Sequence, residues 1–171
     1  MINDMKKYSD AIDKISISSG KIISWLTIFM VITTLAIVVL RYVFGWGFIW
    51  LQEILVWMHA AVFMLGAAYT LQQEEHVRVD IFYRDLDTKK RAWINIFGVT
   101  LFLLPLCFMF FLEAWNYVAS AWLLKEISRN TGGLPYPAIP VLKSMLLLMP
   151  LGLMIQGISL FLKSLIAIRQ N

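Results

Sequence analysis

The sequence predicts an all-α integral membrane protein: four tilted transmembrane helices, both termini inside, and an amphipathic N-terminal helix lying at the interface. Three observations lead there. Of the 171 residues, 60% are hydrophobic and 15% charged, against about 45–50% and about 25% in soluble domains. Four stretches, 22–40, 54–71, 92–112 and 144–162, contain no Asp, Glu, Lys or Arg, and each approaches the roughly 20 residues that cross about 30 Å of hydrocarbon. None of them alternates polar with apolar residues as a barrel strand does, so backbone amides in lipid must be satisfied within helices.

Charge sets the expected orientation, because Lys and Arg favour cytoplasmic loops. Eleven lie on one side: Lys6, Lys7, Lys14, Lys21, Arg78, Arg84, Lys89, Lys90, Arg91, Lys163 and Arg169. Four lie on the other: Arg41, Lys125, Arg129 and Lys143. The net charge of +4 therefore reads as membrane flanking, and no basic patch suited to nucleic acid is left. The first helix is not a cleavable signal, since Asp4, Asp10 and Asp13 interrupt the basic region and no cleavage site follows.

Taken in order, the chain is one membrane domain over 1–171. Residues 1–15 place Met5, Tyr8, Ile12 and Ile15 on one stripe opposite Lys6, Lys7, Asp10, Asp13 and Lys14, an interfacial amphipathic helix; a disordered polar tail is the alternative. Spans follow at 20–44, 49–72, 91–124 and 139–166. Gly45-Trp46-Gly47 makes the first two antiparallel neighbours, and Trp46, Phe48 and Trp50 sit at the outer interface. A cytoplasmic loop, 73–90, contains a period-two stretch, His76 to Ile81. The third span must tilt, bend at Pro105 or project, since Glu113 alone interrupts apolar sequence over 92–124. A periplasmic loop, 125–138, carries Gly132-Gly133 and Pro135-Tyr136-Pro137, which is turn chemistry. Pro150 should kink the fourth span, and Gly152 and Gly157 permit close helix approach.

Few residues offer chemistry. Arg41, Glu53 and Glu113 are expected near the outer boundary, where an ion-pair cluster of Arg41 with Glu53 or Glu113 would fix helix packing; substrate or proton handling and unpaired snorkelling are the alternatives. His59 is expected to be an interhelical hydrogen-bonding residue. A haem ligand is the competing reading, but His76 is badly placed as a second ligand. The lone Cys107 reads as a core residue, not a reactive thiol. No metal-ligand spacing, phosphate loop or nucleophile-base pair is present, so neither an enzyme nor a bound cofactor is expected.

Arg41-Tyr42-Val43-Phe44-Gly45, Trp50-Leu51-Gln52-Glu53, Gly66-Ala67-Ala68 and Glu75-His76-Val77-Arg78-Val79-Asp80 follow one another in order. In sequence and spacing they resemble the small membrane subunit (DctQ type) of TRAP, tripartite ATP-independent periplasmic, transporters. Where that family commonly has two adjacent acids, this chain has Gln52-Glu53, which leaves one carboxylate. The resemblance implies a bacterial inner-membrane subunit that braces a large (M-type) elevator subunit. That large subunit binds sodium and an organic acid delivered by a periplasmic binding protein. It marks His76, Arg78 and Asp80 as a family-motif loop, and Trp46, Phe48, Lys125, Arg129 and Tyr136 as candidates for binding-protein contact. Two other classes compete: a haem or quinone anchor of a dehydrogenase, and a self-sufficient small dimeric transporter.

Overall fold

The computed structural model describes residues 2–73 and 86–170, and it is a bundle of four helices. Helix α1 is Ile2–Tyr42, α2 is Ile49–Gln72 and α4 is Ala138–Gln170. Helix α3 runs Thr88–Leu123, 36 residues in all. All four are long and apolar enough to cross a membrane. Connections 43–48 and 124–137 lie at one end of the bundle, the loop end; the chain's first and last helical residues lie at the other, the terminal end.

The expected break after residue 15 is absent. Helix α1 is continuous for 41 residues, about 60 Å at 1.5 Å per residue. Its first turns are not laid sideways, because their polar face is used inside the bundle: Ser9, Asp13, Ser16 and Gly20 are the buried residues, at steps of four, three and four. Of the stripe expected to meet the interface, Tyr8 and Ile15 point outward, at 67% and 69% exposure. At the far end Gly45, at φ 72°, lets Trp46 N–H reach the Leu40 carbonyl (2.9 Å), which closes the helix and turns the chain.

Helix α3 starts earlier than its apolar run, at Thr88, because the Asp87 carboxylate accepts from the Thr88 amide (2.9 Å) and caps the turn. It is α-helical over Thr88–Phe97, π-helical over Gly98–Leu103, and α-helical again over Leu104–Leu123. The widened turn has a cause in sequence. Pro105 has no N–H and crowds the carbonyl four residues back, and the π-turn, with Leu104 N–H bonded to Val99 O, absorbs that defect without ending the helix. Helix α4 likewise runs unbroken through Pro150, which is buried.

Helix α4 is the hub. It packs against α1, α2 and the length of α3, while α1 also packs on α2; α3 has no comparable neighbour apart from α4. Small residues make these approaches close. A Cβ at Gly20 would collide with the Tyr69 ring, and one at Gly157 would lie 2.6 Å from Leu103 Cδ2. Thus the close contacts expected of Gly152 and Gly157 are made within the chain, with Ala68 of α2 and Leu103 of α3. Much of the interior is small or polar, with a few aliphatic side chains such as Met58, Leu71 and Met145, and large apolar side chains such as Trp25, Phe29, Phe63, Phe102 and Leu106 face outward. Lipid is as apolar as leucine, so membrane helices associate by close contact and hydrogen bonds and not by hiding hydrocarbon.

Gly20→Leu is expected to push α1 off Tyr69 and destabilise the bundle by about 1–3 kcal/mol. Cys107, buried at 6% exposure, supplies the measurement: a thiol-reactive fluorophore should label it at a lower temperature in the variant. An unchanged labelling midpoint would contradict the packing described.

Candidate functional site: two polar clasps and the loop face

At the terminal end one carboxylate joins three helices. Asp13 of α1 accepts through Oδ1 from Ser159 Oγ (2.6 Å) and Gln156 Nε2 (3.0 Å), both on α4. Through Oδ2 it accepts from Lys163 Nζ and, at 3.5 Å, from Gln72 Nε2 of α2. Ser16 donates to Gln156 Oε1 (2.7 Å), and the Ser9 and Ser159 hydroxyls lie 3.0 Å apart. Both helices contribute side chains one and two turns apart, so the two polar rows run along one seam. Among the described residues no buried polar side-chain atom lacks a partner. This is the condition under which a polar interior is stable.

A second carboxylate fixes the loop end. Glu53, one turn into α2, accepts through Oε1 from the Ser128 hydroxyl and from Asn130 Nδ2 (3.0 Å), and through Oε2 from the Leu134 amide (2.6 Å). The 124–137 connection is thereby tied to α2, although it joins α3 to α4. Lys143 pairs with Glu126 (2.6 Å) and sits 3.9 Å above the Tyr117 ring. Trp122 Nε1 donates to Ser144 Oγ (2.9 Å) and Trp57 Nε1 to the Ala138 carbonyl (3.2 Å). The held loop and α2 border an apolar recess of about 370 Å³, lined by Ile54, Trp57, Pro135, Tyr136 and Val141 among others.

The expected cluster of Arg41, Glu53 and Glu113 does not assemble. Glu53 is occupied by loop donors that lie nearer than any guanidinium. Arg41 is exposed at the end of α1 beside Trp46, Phe48 and Gln52. Glu113 is exposed on α3, which packs on α4 and so stands away from both other groups. His59 is not interhelical either: it is exposed and lies over Phe63 of its own helix, ring centroids 4.6 Å apart. His76, Arg78 and Asp80 lie outside the described residues. Trp46, Phe48, Lys125, Arg129 and Tyr136 all fall on the loop end and are exposed. Among the described residues no three His, Cys, Asp or Glu side chains come together as a metal site would require.

The Asp13 clasp is hard to see in sequence, because Asp13 sits on the polar face of residues 1–15, which an amphipathic interfacial helix turns toward water. Its partners, Gln156, Ser159 and Lys163, repeat at steps of three and four near the far end of the chain. That pairing of two small polar rows was the available signal.

A multi-pass helical membrane protein whose two ends are each tied by a polar cluster is the class this geometry defines. The family described as tripartite ATP-independent periplasmic transporters, DctQ component, matches residues 30–165. The chain belongs to that family, a transporter component and not an enzyme family, whose members function with a large DctM subunit and a periplasmic binding protein. No curated protein and no solved structure matches.

Asp13→Ala strips four donors of their acceptor and should cost about 2–3 kcal/mol in Cys107-labelling melts. That is below the range for a fully buried pair because Lys163, at 43% side-chain exposure, can turn to water. Asp13→Ala with Lys163→Ala should lose less than the sum of the two single changes; strict additivity would show that the pair is not coupled. Glu53→Ala should release the loop, so that trypsin cuts after Lys125 and Arg129 roughly tenfold faster. An unaltered cleavage rate would place the loop's restraint elsewhere.

Proposed function

We propose that this chain is the bracing subunit of a sodium-coupled importer of an organic acid, set in the bacterial inner membrane with both termini cytoplasmic. The large M-type subunit binds sodium and substrate and moves; this chain binds no cofactor and widens the stationary part. The observation that carries the reading is the distribution of polarity inside the bundle. Polar side chains concentrate in the two clasps. Between them the buried residues, Met58, Ala61, Cys107, Ala114, Met145 and Pro150 among them, offer no hydrogen-bonding side chain. A solute path through the bundle needs polar groups lining its interior between the two ends, whereas a brace needs the two ends locked and the middle packed.

The 11-to-4 division of Lys and Arg supports placing the terminal end in the cytoplasm. The loop end then faces the periplasm. There Trp46, Phe48 and Tyr136, at 56%, 39% and 41% exposure, with Lys125 and Arg129, offer aromatic and basic groups to the binding protein. Such composition suits a contact surface.

Proteoliposomes separate the alternatives. Uptake of labelled substrate is expected only with this chain, the large subunit and the loaded binding protein together, under an inward sodium gradient. Uptake by this chain alone would establish a self-sufficient transporter, and full uptake by the large subunit without it would remove the bracing role. Reversing charge at Lys125 and Arg129 should weaken binding-protein-dependent uptake roughly tenfold at low ionic strength and less at high salt. Wild-type uptake at both salt levels would exclude those two residues from the contact.

A further inference from the structure

Glu113 is the one acidic side chain of α3, neither clasp uses it, and its depth makes it informative. It lies ten residues before Leu123, where α3 ends, which is about 15 Å along the axis. That end is level with the loop face, since Trp122 bonds Ser144 and Glu126 pairs with Lys143. In the other direction, Leu103 and Val99 meet Gly157, the neighbour of the Asp13 partner Gln156, so the terminal clasp is level with 99–103, again ten or more residues away. Glu113 therefore stands between the two clasps, and a hydrocarbon layer about 30 Å thick set between those clasps puts it near mid-depth, deeper than the outer boundary expected from sequence.

It also points out of the bundle, and among the described residues it has no hydrogen-bond or ion-pair partner. Around it on the same face lie Leu106, Met109, Asn116, Ser120 and Leu123, all exposed. With Glu113 their steps are three, four, three, four and three, the spacing along which a second helix packs. A carboxylate at this depth is costly in lipid, and a glutamate side chain is too short to reach either surface. A second copy of this chain would set Glu113 against its own like charge in a symmetric contact.

We propose that this face of α3 seats a transmembrane helix of the large subunit that presents a Lys or Arg to Glu113 at mid-bilayer depth, with Asn116 supplying a neighbouring hydrogen bond. The proposal rests on the bracing-subunit reading and names the contact through which that role is exercised. The cation neutralises the carboxylate, and the charge pair sets register between two otherwise apolar surfaces.

The test is affinity purification of the tagged chain co-expressed with its large subunit. Glu113→Lys should lower recovered complex roughly tenfold or more, Glu113→Gln less, and both should leave the Cys107-labelling midpoint of the isolated chain unchanged. Replacing a membrane-embedded Lys or Arg of the large subunit by Glu should restore complex with Glu113→Lys. Complex at wild-type yield with Glu113→Lys would overturn this contact while leaving the bracing role standing. Failure of the wild-type chain to co-purify would overturn both. In a Cys107→Ala background, cross-linking of Met109→Cys to the large subunit supports the assignment, and cross-linking to a second copy of this chain overturns it.

Discussion

The Asp13 carboxylate is the interaction from which the arrangement of the bundle follows. Within reach of its two oxygens are Ser159, Gln156 and Lys163 of α4 and Gln72 of α2, so three of the four helices meet at one residue. Taking a charge out of water is unfavourable unless its hydrogen bonds are replaced, and here they are replaced by donors that come only from those helices in that register. Sliding α4 by one turn would leave the carboxylate buried and unmatched. The clasp thus specifies register, which apolar contacts between helices in lipid do poorly. Gly20, about two turns away, then lets α1 come close enough to Tyr69 for packing to continue.

The loop end obeys the same rule by different means. Glu53 gathers donors from the 124–137 connection, including a backbone amide, and ties that connection to a helix it does not directly follow. With Lys143 held between Glu126 and Tyr117, the loop end becomes a fixed surface. Helix α3 is the exception, since among the described residues it packs mainly on α4. A bundle locked at both ends, with one helix presenting open faces, is the shape of a part made to be joined to something larger.

Much of this was legible in sequence, and the parts that were not share a cause. Four charge-free runs gave four spans because hydrocarbon thickness sets helix length, and the order of motifs from Arg41 to Asp80 gave the family. The long α1 is hard to read in sequence because Asp13 looks like part of a water-facing strip while Tyr8 and Ile15 look like the buried one. In lipid the two faces exchange roles. The Arg41–Glu53 pairing failed because sequence proximity of opposite charges says nothing about loop donors arriving from 75 to 81 residues away. The depth proposed for Glu113 differs from the outer-boundary expectation because it is taken from the levels at which α3 meets α4, and sequence alone does not show those contacts.

A bracing subunit, as proposed above, stays rigid while its partner moves. Spin labels at exposed positions, one in the 43–48 turn and one near the end of α4, would report the distance between the two ends in the assembled transporter. A rigid support predicts one distance distribution, the same with and without sodium and substrate. A second population, displaced by several ångströms when substrate is supplied, would show the bundle itself changing shape and would contradict the claim.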